Sequence, residues 1–160
     1  MIIAISSPPP IDKSELAEKL AAQFDLRIIE NPVPALCKDV GFQTLYDMPY
    51  KLQIESREKL IREHAEFVKA NDNLLLKFSV FEFLADWMRW AWSNISTEKW
   101  EEISAVAEEA INSYDKVYHL DEGKSLEYDG YVWFDKRNAK QINNLLKSLY
   151  TEMQISGKIK

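Results

Sequence analysis

Four short apolar runs, separated by stretches with helical spacing, organise the chain. Ile2-Ile3-Ala4-Ile5 is continuously apolar and is broken by Ser6-Ser7-Pro8-Pro9-Pro10, the pattern of a central strand covered on both faces. From Lys13 the period changes. Leu16, Leu20 and Phe24, with Ala17 and Ala21 beside them, define one face of a helix. Leu26 to Ile29 gives a second run, closed by Glu30-Asn31-Pro32, where Pro32 disfavours helical geometry at Asn31. A proline- and aromatic-containing stretch leads into a helix that runs from Leu52 to about Ala70 and is stopped by Asn71-Asp72-Asn73. Leu74 to Phe78 is the third run, and Val80 to Trp92 reads as a helix apolar almost all round. Ser96 offers a cap before a helix from Trp100 to about Ser113, and Val117 to Leu120 is the fourth run. Residues 121–135 read as loop, Lys136 to Leu149 as a final helix, and Met153-Gln154-Ile155 as a short fifth strand. Strands alternating with helices predict an α/β three-layer sandwich, one domain over 1–160, with a parallel sheet of four to five strands and right-handed crossovers.

Composition narrows the chemistry. With 160 residues, 46% of them hydrophobic, such a domain buries ~70% of its unfolded surface, which excludes a disordered tail. Twenty-six acidic against 20 basic side chains give a net charge of −6. No cationic block opposes that field, so nucleic acid is not expected as a partner. The lone Cys37 cannot make an internal disulfide, and His64 and His119 lack metal-ligand spacing, so no metal is expected. Cys37 reads as an apolar filler and both histidines as structural. The N-terminal run has no basic residues before it and no stretch approaches a membrane span. A cytoplasmic protein with no membrane contact is the expectation.

In parallel sheets of this kind ligands sit beyond the carboxyl ends of the strands, which directs attention to the loop after the first run. Ser7-Pro8-Pro9-Pro10-Ile11-Asp12-Lys13-Ser14 has the spacing of the phosphate-binding pattern Gly-x-x-x-x-Gly-Lys-Ser/Thr, with Lys13 and Ser14 in place and both glycines replaced, by Ser7 and Asp12. Glu30 closes the second run, Gln53 lies early in the next long helix, and Ser79 follows the third run. In that order the chain resembles the P-loop nucleoside and nucleotide kinase superfamily, nicotinamide riboside kinase-like and deoxynucleoside kinase-like proteins included, over nearly its whole length. The resemblance implies the strand order 2-3-1-4-5. For an active member it further implies ATP and magnesium, Lys13 and Ser14 on phosphate, Glu30 as a base or substrate-hydroxyl acceptor, and Gln53 on a nucleobase edge. The plainer readings stand beside these: first-turn helix residues for Lys13 and Ser14, a solvated strand-end acid for Glu30 and a solvated helix glutamine for Gln53.

The departures from that family pattern are pointed. Pro10 removes a backbone donor from the cradle, and Asp12 brings a side chain and a negative charge to the position of the second glycine. Asp12 also reads as a helix N-cap, with Glu15 completing a capping-box variant. The family's Asp-Arg-Ser or Glu-Arg-Ser triplet is here Lys77-Phe78-Ser79, and no arginine occurs between Asp121 and Asp135, where related kinases keep a lid arginine. Phosphoryl transfer rests on positioning and charge neutralisation, so these losses remove most of its machinery. Lys77 is expected to pair with Asp12 across an empty phosphate site. On an ideal helix Trp87 and Trp90 lie about 60° apart and Trp92 about 140° from Trp87, so the three indoles cannot share one buried stripe. At least one is expected at an interface with a protein partner or a second copy. Two function classes follow: a degenerate, catalytically inactive pseudoenzyme that needs no cofactor and acts through protein contacts, or a divergent nucleoside or nucleotide kinase with Lys13 and Glu30 as its catalytic residues.

Overall fold

The N-terminal apolar run forms β1 (Ile2–Ser6) near the middle of a four-stranded parallel sheet of order β2-β3-β1-β4. The other strands are β2 (Arg27–Ile29), β3 (Leu74–Leu76) and β4 (Lys116–His119). The computed structural model describes residues 1–9, 11–121, 136–155 and 157–160. The readings placed on Pro10 and on the lid region beyond Asp121 therefore lie outside the described residues. β1 pairs with β3 through Ile3 opposite Leu75, and with β4 through Ala4 opposite Val117.

Alternation along β1 sends Ile3 and Ile5 to one face and Ile2 and Ala4 to the other. On the first face lies helix α1 (Ser14–Phe24), which buries Ala17 and Leu20 against Leu75. The second face carries the larger core, built with α3 (Tyr50–Ala70), α4 (Val80–Ala91), α5 (Thr97–Ser113) and α6 (Lys136–Glu152). The helix apolar almost all round is α4, wrapped by α3, α5 and α6. A short helix α2 (Val33–Asp39) occupies the proline-containing stretch that periodicity had left unassigned, with Pro34 in its first turn, where a missing N–H costs nothing. Ser96 caps α5, its side chain accepting from Lys99 N at 3.2 Å, and the helix starts at Thr97, three residues earlier than its apolar face suggests.

The fifth strand expected at Met153–Ile155 is not formed. Helix α6 continues to Glu152, Gln154 turns the chain at a φ of 53°, and Ile159 makes a single parallel bridge to Val117. Val117 N donates to Lys158 O at 2.9 Å, so part of the β4 edge is covered by the last residues of the chain.

One buried polar unit fixes the start of α4 against α3. Tyr114, just after α5 and fully buried, accepts a hydrogen bond from Val80 N at 2.9 Å and shares another with His64 Nε2. His64 lies edge-on to Phe78 and Phe83. Removing the hydroxyl leaves the Val80 amide buried without an acceptor, so Tyr114→Phe is expected to destabilise the fold by ~1–3 kcal/mol. Urea unfolding of the two proteins checks this; an unchanged midpoint would mean that the contact carries no net energy.

Candidate functional site

The carboxyl ends of all four strands lie on one edge of the parallel sheet, and the residues singled out in the loop gather there. Lys13 is 9% exposed. Its ammonium donates to Glu82 Oε1 at 2.8 Å and Oε2 at 2.7 Å, with a longer contact of 3.4 Å to Ile5 O. Glu82 stands in the first turn of α4, where Ser79 N donates to its Oε1 at 3.1 Å, and the Ser7 backbone N–H faces the same carboxylate. A carboxylate at a helix N-terminus is well placed for the helix dipole. Burial pushes the Glu82 carboxyl above its ordinary range, against the opposing pull of Lys13 and the two N–H groups.

Glu82 was not among the residues picked from sequence. Its signal was present in Ser79-Val80-Phe81-Glu82, which has the capping-box spacing and forms one. That pattern predicts a helix start. It says nothing about a lysine 69 residues away.

Asp12 is exposed, and its Oδ1 accepts from Ser14 N at 2.9 Å. The N-cap of α1 is Lys13, so Asp12 closes the turn from one position earlier than expected. The Ser14 backbone bond is the main reason the Asp12 carboxyl lies below its ordinary value, with a smaller contribution from Lys77. Lys77 does not take Asp12 as its direct partner. Its ammonium donates to Ser14 Oγ at 3.0 Å and pairs with Glu30 Oε2 at 3.0 Å. The reason is topological. β2 neighbours β3, which brings the acid ending β2 beside the lysine ending β3, while Asp12 faces solvent. Glu30 is 72% exposed in this pair. Ser79 is fully buried as the N-cap of α4.

Gln53 is buried and occupied, contrary to the solvated reading. Its Nε2 donates to Met48 O at 2.9 Å and its Oε1 faces Arg57 Nη1 at 3.5 Å. Arg57, 1% exposed, pairs with Asp86 at 2.6 Å and lies over the rings of Tyr46 and Trp90. Gln53 therefore fixes the chain before α3.

The three tryptophans part company. Trp87 is fully buried, stacks on Trp100 at 6.3 Å, and donates Nε1 to Glu58 at 3.3 Å, so it cannot serve an interface. Trp90 is half-buried against Tyr46, with the guanidinium groups of Arg57 and Arg89 each 5.5 Å from its ring. Because α4 ends at Ala91, Trp92 falls in a 3-10 turn (Trp92–Asn94) and is 70% exposed. Behind β4, His119 Nδ1 meets Tyr150 OH at 3.0 Å, and that hydroxyl donates to Ser6 Oγ at 2.7 Å. Burial lowers the His119 pKa, with the Asp121 charge opposing. Cys37 is buried in the larger core.

Among the described residues no helix is long and apolar enough to cross a membrane, and no cluster of three His, Cys, Asp or Glu side chains could hold a metal. No protein-family model matches the sequence, and no curated protein does. Among solved structures the chain is similar to the NadR protein in complex with NAD and AMP-PNP, with a TM-score of 0.69 and 10% identity, over 99% of this chain and 43% of that one. NadR in complex with NR gives a TM-score of 0.68 and 11% identity, over 99% of this chain and 42% of that one. The chain spans less than half the length of these neighbours. At such identity the likeness is one of fold. With the parallel order β2-β3-β1-β4 and helices on both faces, the chain shares the parallel α/β fold of these structures.

Proposed function

We propose that this protein is a degenerate member of the nucleotide-kinase fold that has given up phosphoryl transfer and acts through protein contacts, as a regulator or assembly component. One observation carries the reading. The groups that a phosphate-binding loop aims at a nucleotide, the lysine ammonium and a loop N–H, converge here on the chain's own Glu82 carboxylate. An internal anion with two charge-assisted bonds needs no ligand, and a nucleotide must displace it. The strand-end substitutions agree with this. Lys77 is neutralised by Glu30, so a cation and an acid that a kinase would direct at phosphate or substrate hydroxyl are tied to each other. Such a protein requires neither ATP nor magnesium.

The NadR structure with AMP-PNP keeps the divergent-kinase alternative concrete, because a protein of this fold does hold a nucleotide. Calorimetry with magnesium ATP at neutral pH separates the two. The wild type is expected to bind weakly or not at all, with Kd above ~1 mM, at which binding is worth no more than about 4 kcal/mol. The triple variant Asp12→Gly, Lys77→Asp, Glu82→Ala is expected to bind more tightly than the wild type. Micromolar affinity in the wild type would overturn the reading in favour of a kinase using Lys13 and Glu30.

A further inference from the structure

The exposed Trp92 marks one end of a groove along α5. Its apolar floor is Met88, Ile95 and Trp100, enclosing about 350 Å³, with Glu152 of α6 on the rim. A second, more polar hollow of about 260 Å³ shares Glu152 with the first and is lined by Glu108, Ile111, Asn112, Met153 and Gln154. The two hollows together span α5 from Thr97 to Asn112, ~22 Å at 1.5 Å per residue. An indole 70% exposed beside an apolar hollow is costly to leave in water.

We propose that this groove receives an amphipathic helix from another protein, with large apolar anchors on one face and Lys or Arg on its flanks. The inference rests on the protein-contact part of the proposed function and not on the loss of phosphoryl transfer. Charge identifies the occupant. Of the five glutamates on α5, Glu102 is paired with Arg62 and Lys99 and Glu109 with Lys69, on the side facing α3, while Glu98 and Glu101, near the start of the helix, make no ion pair among the described residues. Among the described residues Glu108 and Glu152, the two acids on the groove, make no ion pair. Lys158, which reaches the far end, donates to the Ile111 carbonyl at 3.1 Å.

A second copy of this chain is a poor fit. A two-fold contact would bring the same unpaired acids together, on molecules that each carry a net charge of −6. An anionic lipid surface is disfavoured by the same sign. A cationic amphipathic helix satisfies both features. Its anchors fill the hollows beside Trp92 and Trp100, and its basic flanks meet Glu108 and Glu152, as in other helix-in-groove complexes.

The test uses two synthetic helices of about 15 residues, matched to the ~22 Å groove. They share a Leu/Phe apolar face and differ only in carrying Lys or Glu on the polar face. Binding to the full chain is followed by calorimetry and by tryptophan fluorescence. The Lys helix is expected to bind at least ~10-fold more tightly than the Glu helix, and to weaken as salt is raised. Trp92→Ser should cost it a further ~10-fold with the protein still folded, because that side chain supports little of the core. Glu108→Lys with Glu152→Lys should reverse the preference. Equal binding of both helices, binding of neither, or no effect of these variants would overturn the proposal. So would a dimer in sedimentation that Trp92→Ser dissociates, since the occupant would then be a second copy. Magnesium ATP titrated into the same samples reports separately on the pseudoenzyme reading, which can fail while the groove proposal stands.

Discussion

Lys13→Met is expected to cost the protein about 3 kcal/mol of stability at neutral pH, with the loss shrinking as the solution is acidified. Removing one partner of a buried ion pair typically costs 3–5 kcal/mol, because the other charge is left desolvated. The lower end applies because the Glu82 side chain retains 21% exposure. Without Lys13, Glu82 would keep the Ser79 N–H donor and lose its only counter-charge among the described residues. Its carboxyl, already raised by burial, would rise further. A carboxyl whose folded pKa exceeds its unfolded value weakens the fold above the unfolded pKa, and the penalty disappears as pH falls through that range and both states take up the proton. The difference between variant and wild type is therefore largest near pH 7 and smallest near pH 4. Urea unfolding of both proteins across that range checks it. A variant as stable as the wild type at pH 7, but altered in nucleotide binding, would make Lys13 a phosphate ligand and its contact with Glu82 incidental.

Acid is expected to act on the wild type in the opposite direction through His64. The imidazole is 4% exposed among aromatic rings, and burial lowers its pKa from 6.5 to about 3. The folded state therefore holds it neutral while the unfolded chain takes up a proton below pH 6.5. Stability is whole above pH 6.5 and falls by up to about 1.4 kcal/mol per pH unit between 6.5 and 3, so about 2 kcal/mol is lost by pH 5. His119, lowered less and also by burial, adds to the slope. Carboxylates titrate in the lower part of the window, so the informative quantity is the difference between wild type and His64→Gln. The variant should show a flatter dependence between pH 6.5 and 5. In the wild type, nuclear magnetic resonance should find the His64 ring neutral at pH 5. A ring that titrates near 6.5 would show that burial does not hold it neutral.

The pattern of apolar positions was enough to place β1, β3 and α4, because the two strands are buried throughout and α4 buries eight of its twelve residues, so their apolar runs are seldom interrupted. It missed α2, which has only seven residues and a proline in its first turn, too few for a period to register. It placed a strand at Met153–Ile155, where α6 runs on past Leu149 to Glu152 and the chain then turns at Gln154. Trp87 and Trp92 illustrate a sharper limit. Helical geometry correctly separates their directions, but which one faces solvent depends on where α4 ends and on the position of Trp100, a residue of another helix.

The site divides in the same way. Lys13, Ser14, Glu30 and Lys77 were legible as a group because the strand–loop–helix order brings strand ends to one edge of a parallel sheet, and that order is written locally in short runs and turns. Their partners were not legible. Lys77 was expected on Asp12 and takes Ser14 and Glu30; Lys13 takes Glu82. A single sequence sets the local preferences of each element, its period, caps and breakers, since these depend on neighbours within a few positions. Ion pairs between residues 47 to 69 positions apart depend on how β2, β3 and α4 pack, to within a few ångströms, and charge alone leaves several partners open to each lysine. The sequence by itself determined a parallel α/β sheet with a charged loop at its carboxyl edge. Only the tertiary structure decided that the lysine of that loop is held by an acid of the chain's own, because only packing selects one partner among many of the right sign.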